Sequence, residues 1–222
     1  MNNDKKIAAE EAVKEIKNGM VVGLGTGSTA YYAIHAVGAL VKNGMQLLTV
    51  PTSEQTKQMS IELGIPMVDI NTIDAIDVTI DGADEFTQNL ELIKGGGGAL
   101  LREKIVASLT KKQIIVADSS KLVGELGKFK VPVEVIPFAK GYVTQQLKTI
   151  GGIGLIRTKD GKEYVTDQGN CIIDADFGLI ENPAKLDEQI NQIVGVVEHG
   201  LFIGLADRVI MAKDGETISF SK

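Results

Sequence analysis

The stretch "MVVGLGTGSTAYYAIHAVGALV", residues 20–41, decides the fold. It begins with a short apolar run rich in valine, which is typical of a buried strand. A glycine-rich turn follows, and "STAYYAIHAVGALV" then predicts a helix. Further along, "MQLLTVP" and "KQIIVADSS" predict strands, and "SEQTKQMSIELG" predicts a helix between them. Strands with continuous apolar runs, alternating with helices, predict a doubly wound, mostly parallel sheet of the Rossmann-like α/β class.

The chain on either side of this region completes the predicted architecture. Before it, "DKKIAAEEAVKEIKNG" predicts a helix that ends at Asn18-Gly19. From Lys128 onward the order of predicted elements becomes β-α-β-β-α-β, the ferredoxin-like pattern. We therefore expect a catalytic Rossmann-like domain of residues 1–127 and 201–222. A smaller inserted ferredoxin-like α+β domain, residues 128–200, is expected to take part in oligomerisation.

Composition and charge exclude several classes of protein. Hydrophobic residues make up 44% of the 222 residues, and the net charge is −6 with basic residues spread along the chain. A nucleic-acid surface needs clustered Lys and Arg, so no nucleic-acid partner is expected. The apolar runs are far shorter than the roughly 20 residues of a membrane span. The acidic, amphipathic N-terminus is unlike a signal sequence, so we expect a cytoplasmic protein with no membrane partner.

Residues that bind metals or form disulfides are scarce. The single cysteine, Cys171, excludes an internal disulfide and a cysteine-based zinc site. His35 and His199 are far apart in the sequence, so no histidine-rich metal cluster is expected. The chain also lacks the G-x-G-x-x-G dinucleotide fingerprint. Neither a metal nor a nucleotide cofactor is expected.

The turn "GLGTGST", residues 23–29, is a candidate anion site. It exposes backbone N–H groups at the start of a helix, where the helix dipole also favours an anion such as a phosphate. Ser28 and Thr29 add hydroxyl donors. The alternative is a tight strand-to-helix turn that needs small residues for packing.

Three carboxylates follow the next predicted strand, in "DVTIDGADE", residues 77–85. Asp81 ends the strand, Gly82 makes a turn, and Asp84 and Glu85 come next. Ligands of open parallel sheets bind beyond the carboxyl ends of the strands, where Asp81 falls. Three carboxylates in five residues favour either Mg²⁺ binding or proton transfer. Alternatively, Asp81 caps a turn and the other two are solvated.

Four consecutive glycines, in "IKGGGGALLREK" at residues 93–104, call for a specific purpose, because each glycine destabilises a regular element by roughly 0.5–1 kcal/mol. Bare backbone can approach a small polar ligand closely, and Lys94 supplies a positive charge beside it. If a helix begins near Gly98, Glu103 lies one turn inside it, among apolar neighbours at positions 99, 100, 106 and 107. Such a carboxylate is partly desolvated, which suits a general base. A surface ion pair with Arg102 or Lys104 is the alternative.

Lys121, in "ADSSK", follows another strand and is either at the same rim or an ordinary surface lysine.

Together, "GLGTGST", "DGADE", "KGGGGALLREK" and "ADSSK", in this order and spacing, resemble ribose-5-phosphate isomerase of the A type. The resemblance continues through "VPVEV", "VTDQGNCIID" and "HGLF" and covers nearly the whole chain. It implies interconversion of D-ribose 5-phosphate and D-ribulose 5-phosphate in the pentose phosphate pathway, without a cofactor, by a homodimer or a dimer of dimers. Glu103 matches the proton acceptor of that family. The residues that match its substrate-contacting segments are Thr26, Gly27, Ser28, Thr29, Asp81, Gly82, Ala83, Asp84, Lys94, Gly95, Gly96, Gly97 and Lys121.

The chemistry of such a reaction agrees with these residues. Moving a carbonyl from C1 to C2 needs a base for the C2 proton, which Glu103 can supply, and donors for the enediolate, which Lys94 and the glycine N–H groups can supply. Asp81 can open the sugar ring or carry protons between oxygens, while Asp84 orients hydroxyls. Two alternatives remain at this stage. A coenzyme-A transferase uses a glutamate near a glycine-rich turn as a nucleophile, and a sugar-phosphate sensor binds without catalysis.

Overall fold

A computed structural model describes residues 2–222 of the chain. None of its helices in that range is long and apolar enough to cross a membrane. The α-helices are Asn2–Val13 (α1), Ala30–Lys42 (α2), Glu54–Glu62 (α3), Leu100–Ser108 (α4), Lys140–Thr149 (α5) and Pro183–Asn191 (α6). Short 3-10 helices span Ile70–Thr72, Ser119–Lys121 and Pro137–Ala139.

The strands are short, and several contain two residues. In the first part of the chain they are Val21–Leu24 (β1), Leu48–Pro51 (β2), Val78–Gly82 (β3), Glu85–Phe86 (β4), Leu92–Ile93 (β5) and Gln113–Asp118 (β6). In the second part they are Val131–Val135 (β7), Ile153–Ile156 (β8), Thr158–Lys159 (β9), Lys162–Glu163 (β10), Cys171–Asp176 (β11), Val196–His199 (β12), Leu201–Phe202 (β13), Arg208–Lys213 (β14) and Glu216–Ser221 (β15).

The chain folds into two compact units. The first contains the described residues up to Ala83 together with Arg102–Leu122 and Gly204–Lys222, and the second contains Asp84–Leu101 and Val123–Ile203. The functional division expected from the sequence, a catalytic domain of 1–127 and 201–222 and an oligomerising domain of 128–200, stays a prediction.

The first unit is built on a six-stranded sheet in the order β15-β14-β6-β3-β1-β2. All neighbouring pairs are parallel except the hairpin of β14 and β15. On one face, strand residues such as Leu24 and Ile80 pack in a cluster with α1 and α2. Another cluster joins Val50 and Ile76 to Val106 of α4. The predicted α/β class with a mostly parallel central sheet is confirmed.

The first helix ends earlier than the sequence predicts. α1 stops at Val13, and residues 14–16 continue as turns whose N–H groups bond three residues back. The expected end at Asn18-Gly19 is therefore wrong by five residues. Tertiary contacts explain the difference, since the Glu15 carboxylate accepts hydrogen bonds from Lys112 at 3.0 Å and Arg208 at 2.9 Å.

The second unit contains a four-stranded antiparallel sheet in the order β12-β7-β11-β8. With α5 between β7 and β8 and α6 between β11 and β12, this is the expected ferredoxin-like arrangement. Its core joins β7 and β11 to residues such as Val143 of α5 and Ile190 of α6. The small hairpin of β9 and β10 lies between β8 and β11 in the chain.

The same unit contains a three-stranded sheet, β13-β5-β4, that the sequence did not predict. The stretch "VVEHGLFIG", residues 196–204, is divided at Gly200 into β12 and β13, which belong to different sheets. Gly200 donates its N–H to Pro132 at 2.7 Å and accepts the N–H of Lys94 at 2.8 Å. A Cβ on Gly200 would lie 2.3 Å from the Lys94 carbonyl oxygen, so only glycine fits this crossing.

Candidate functional site

In the first unit, the turn after β1 is joined to Asp81 at the end of β3. One carboxylate oxygen of Asp81 accepts the N–H groups of Thr26 at 3.1 Å and Gly82 at 2.7 Å. The Asp81 side chain is 0% exposed. A Cβ on Gly25 would lie 2.1 Å from this carboxylate, so the turn needs glycine to approach the acid. The sequence predicted site residues in both segments, and the structure brings Thr26, Asp81 and Gly82 together.

The rest of this turn leads into helix α2. The Thr26 hydroxyl lies 2.8 Å from the hydroxyls of Thr52 and Ser53, which holds the turn against the start of α3. Gly27 has a φ of +108°, a left-handed conformation that favours glycine. Thr29 is the N-cap residue of α2, and its side chain makes no capping hydrogen bond. The predicted helix is thus present, although it begins at Ala30 and not at Ser28, so Ser28 and Thr29 directly precede a 13-residue helix.

Two lysines lie near Asp118 at the end of β6, and one of them, Lys5, also contacts this turn. The Nζ atom of Lys5, on α1, donates to the Ser28 hydroxyl at 2.9 Å. Burial alone would raise the pKa of Asp118, but hydrogen bonds from Ser120 and the charges of Lys5 and Lys121 hold that pKa below its usual value. Lys121 was predicted from the sequence and Lys5 was not. Nothing in the pattern of α1 distinguishes Lys5 from the neighbouring solvated lysine.

Glu103 lies on α4, which begins at Leu100. Its side chain is only 5% exposed, and the apolar neighbours predicted from the helical spacing, at positions 99, 100, 106 and 107, are all buried. The guanidinium of Arg102 instead donates to Glu54 at 2.8 Å. Glu103 is therefore a buried carboxylate on the apolar stripe that the helical spacing predicts.

In the second unit, Asp84 is held beside the glycine run. One Asp84 carboxylate oxygen accepts the N–H of Gly96 at 2.7 Å, and a Cβ on Gly96 would lie 2.6 Å from the other oxygen. Gly96 and Gly97 are exposed, while Gly95 is buried with a φ of +97°. Gly82 and Ala83, which are half-buried, connect Asp81 to Asp84 in the sequence. Gly96 thus allows a close approach of the backbone to the Asp84 carboxylate, and the approach of a ligand to the glycine run stays a prediction.

Lys94 is a buried lysine, 2% exposed, directly before the glycine run. Its Nζ atom lies 5.4 Å from the centre of the Phe202 ring, a cation–π distance. Its N–H is fixed by the Gly200 carbonyl at 2.8 Å. Removing a charged ammonium group from water is costly, so a lysine in this position is typical of a functional site.

The carboxylates of residues 81–85 are divided among different tasks. Glu85, in the second unit, accepts the N–H groups of Gly127 at 2.9 Å and Phe129 at 2.6 Å, so it stabilises a loop. Within residues 2–222, no group of three or more His, Cys, Asp or Glu side chains is arranged to hold a metal ion. The two roles considered for Asp81 and Asp84, Mg²⁺ binding and proton transfer, both stay predictions.

Comparison with known proteins gives one consistent result. The family model of ribose 5-phosphate isomerase A (phosphoriboisomerase A) matches residues 48–216. The chain is 50% identical over 213 residues to ribose-5-phosphate isomerase A of Streptococcus gordonii, which covers 96% of this chain and 95% of the relative. The structure of the enzyme from Methanocaldococcus jannaschii is similar with a TM-score of 0.94 and 40% identity over the whole of both chains. A D-ribose-5-phosphate isomerase in complex with phospho-erythronic acid is similar with a TM-score of 0.95 and 42% identity, over 98% of this chain and 97% of the other.

Proposed function

Because the chain belongs to the ribose 5-phosphate isomerase A family, we propose that it interconverts D-ribose 5-phosphate and D-ribulose 5-phosphate through an enediolate, with Glu103 as the base. The activity follows from the family, and the mechanism is inferred from the residues. The observation that carries the mechanism is the buried carboxylate of Glu103, one turn inside the helix that follows the glycine run.

The proposed reaction carries the proton of C2 to C1 by way of an enediolate. In the open-chain aldose, the Glu103 carboxylate takes the proton from C2, and the electrons of that C–H bond form a C1=C2 double bond. The former carbonyl electrons move to O1, which gives the enediolate. A proton moves from O2 to O1. The electrons left on O2 form the C2=O bond, and the electrons of the C1=C2 double bond take up the proton that Glu103 returns to C1. A single positioned base therefore completes the isomerisation.

Lys94 and the N–H groups of Gly95 and Gly97 are proposed to stabilise the negative charge of the enediolate, while the N–H of Gly96 holds the Asp84 carboxylate. Charge develops on an oxygen during the reaction, and donors aimed at that oxygen lower the barrier without reorganising. Lys94 is supported by its burial, which strengthens its interaction with an anion. Gly97 is supported by its exposure, which leaves this backbone accessible to a ligand.

Asp81 and Asp84 are proposed to act on the sugar oxygens. Asp81 is held by the N–H groups of Thr26 and Gly82, so its carboxylate has a fixed orientation for opening the ring or moving the proton between O1 and O2. Asp84 is fixed by the N–H of Gly96 and is assigned to orient substrate hydroxyls. Gly82 and Ala83 contribute the backbone between the two acids.

The phosphate group is assigned to the turn before α2 and to the two lysines near Asp118, Lys5 and Lys121. Ser28 and Thr29 supply hydroxyls at a helix N-terminus, which favours anions. Lys5 contacts the Ser28 hydroxyl, and Lys121 lies on the 3-10 helix after β6. Thr26 and Gly27 shape the turn. A phospho-erythronic acid molecule, as found in the similar enzyme, fits this assignment, because it combines a phosphate with a planar carboxylate that resembles an enediolate.

The remaining expectations are also part of this proposal. We place the enzyme in the pentose phosphate pathway and in the cytoplasm, acting without a cofactor. A homodimer or dimer of dimers is supported by large apolar side chains that are exposed in the second unit, namely Phe138, Ile153, Leu155, Leu179 and Val194. Such exposed apolar side chains are typical of an interface between subunits when they form a contiguous patch.

The experiment that tests the proposed mechanism compares the wild-type enzyme with the Glu103→Gln variant. The wild-type protein should form ketose from ribose 5-phosphate. Glu103→Gln keeps the shape of the side chain and removes its basicity, so turnover should fall by about 10²–10⁴-fold. Binding of phospho-erythronic acid should persist, because the phosphate donors are on other segments.

A further inference from the structure

Two side chains of the second unit hold three consecutive carbonyl groups of the glycine run. The Nη1 atom of Arg157 donates to the Gly95 oxygen at 2.8 Å and to the Gly96 oxygen at 3.2 Å. The Tyr164 hydroxyl donates to the Gly97 oxygen at 3.3 Å. None of the roles described above uses Arg157 or Tyr164.

Arg157 is itself fixed in place. Its Nε atom donates to one carboxylate oxygen of Asp174 at 2.9 Å, and Nη2 donates to the other oxygen, so the pair is bidentate. Asp174 lies on β11, in the four-stranded sheet. The Arg157 side chain is 12% exposed, and its guanidinium lies 5.9 Å from the Tyr164 ring centre. A bidentate pair of this kind restricts the guanidinium to one orientation.

Peptide geometry transmits this orientation to the N–H groups. A trans peptide is planar, so the C=O of one residue and the N–H of the next point in opposite directions. The contact of Arg157 with the Gly95 oxygen therefore sets the direction of the Gly96 N–H, which donates to Asp84 at 2.7 Å. Its contact with the Gly96 oxygen directs the Gly97 N–H away from the guanidinium.

Glycines need such an external constraint more than other residues do. Gly95 and Gly98 have φ values of +97° and +82°, and glycine samples both signs of φ with similar ease. Holding a residue in a single conformation costs conformational entropy, and glycine loses more of this freedom than any other residue. Without contacts from outside the run, this backbone would occupy many conformations, of which few present the N–H groups correctly.

We propose that Arg157, anchored by Asp174, is a positioning residue for the isomerisation: it fixes the glycine run so that the Gly97 N–H and the Asp84 carboxylate are held ready for the enediolate. This inference rests on the proposed function, in which the glycine run stabilises that intermediate. Arg157 acts through the backbone of the run and touches no reacting atom.

The test is Arg157→Ala, with Lys159→Ala as a matched control. Lys159 is an exposed cation on the neighbouring hairpin strand β9. Displacing catalytic groups by about 1 Å can cost 10²-fold in rate, so kcat of Arg157→Ala should fall by about 10–100-fold. KM should change by less than about threefold, because the phosphate donors of the first unit are untouched. Lys159→Ala should match the wild type in both constants.

Chemical rescue separates positioning from general destabilisation. A groove of about 530 Å³, lined by residues that include Gly96, Arg157 and Asp174, gives a small cation access to the vacated position. Millimolar methylguanidinium should restore part of the kcat of Arg157→Ala and leave Lys159→Ala and Glu103→Gln unchanged. Arg157→Lys keeps the charge without the planar fork, so its kcat should fall less than that of Arg157→Ala, again at constant KM.

Several outcomes would overturn the inference. They are a kcat of Arg157→Ala within about threefold of wild type, a parallel rise in KM, and a loss that methylguanidinium does not reverse. If Arg157→Ala fails to fold, Arg157→Lys decides, and a wild-type kcat in that variant refutes the role. The proposed mechanism is tested separately: full activity of Glu103→Gln in the same assay would refute it.

Discussion

Replacing Lys5 with alanine tests whether the turn before α2 holds the substrate phosphate. Lys5 is the cation whose Nζ atom lies 2.9 Å from the Ser28 hydroxyl. If a phosphate binds at this turn, it meets the Lys5 ammonium group as well as the helix N-terminus. The variant removes one charged hydrogen bond and leaves Glu103 and the glycine run intact.

The size of the effect follows from the exposure of the contact. A hydrogen bond to a charged group is worth about 1.5–3 kcal/mol, and the Lys5 contact is solvent-exposed, so the lower end applies. A loss of about 1.5 kcal/mol corresponds to roughly a tenfold decrease in kcat/KM. The phosphate does not react and is bound in both the ground state and the transition state. Most of the loss should therefore appear as a higher KM with kcat nearly unchanged.

Lys6 provides the control for this prediction. It is the next residue on α1, it is exposed, and its Nζ atom lies 3.7 Å from Glu10, on the same helix. Steady-state kinetics of Lys5→Ala and Lys6→Ala with ribose 5-phosphate, at low and high salt, give the comparison. Charge attraction is screened by salt, so the difference between the variants should shrink at high ionic strength. A kcat/KM for Lys5→Ala equal to that of Lys6→Ala would show that Lys5 does not bind the phosphate.

Three further predictions concern other parts of the molecule. Lys121→Ala should lower kcat/KM by roughly 10–150-fold if it contributes a charged hydrogen bond, and an unchanged value would place Lys121 outside the site. Exhaustive treatment with EDTA should leave activity intact, whereas loss with recovery on adding Mg²⁺ would make Asp81 and Asp84 metal ligands. Burial raises the pKa of Glu134, against opposing hydrogen bonds from Asn170 and Thr166. The folded state therefore binds the Glu134 proton more tightly than the unfolded state does. The folded state loses stability as pH rises through that raised pKa. Glu134→Gln should therefore raise the melting temperature at neutral pH, and this gain should shrink as pH falls toward 4.5, the usual pKa of glutamate. An equal gain in melting temperature at both pH values would contradict this prediction.

The sequence predicted the elements whose signals are local. The order of strands and helices, the ferredoxin-like sheet and the apolar stripe around Glu103 all follow from the spacing of residues within one segment. The glycine requirements also have a local signature, although their cause is tertiary. Gly25 and Gly96 each leave space for an acidic side chain, Asp81 and Asp84 respectively.

The features that the sequence did not reveal depend on distant partners. β5 contains two residues and is defined by pairing with β13, in which Leu92 faces Phe202. No local sequence pattern predicts a strand of only two residues. Lys5 lies 23 residues from Ser28, and Arg157 lies 62 residues from Gly95, so each is recognised only when the chain is folded.

The fate of the hydrogen on C2 tests the central claim, that Glu103 takes this proton and returns it to C1. Ribose 5-phosphate carrying deuterium at C2 is incubated in ordinary water with wild-type enzyme or Glu103→Gln, and the label is followed by NMR. The wild-type enzyme should remove the label from C2 and pass it to C1 or to the solvent. In Glu103→Gln, loss of the label and turnover should fall together by about 10²–10⁴-fold, while phospho-erythronic acid still binds. A folded Glu103→Gln enzyme that keeps more than about a tenth of the wild-type rate of label loss would contradict the account, and Asp81 would become the leading candidate for the base.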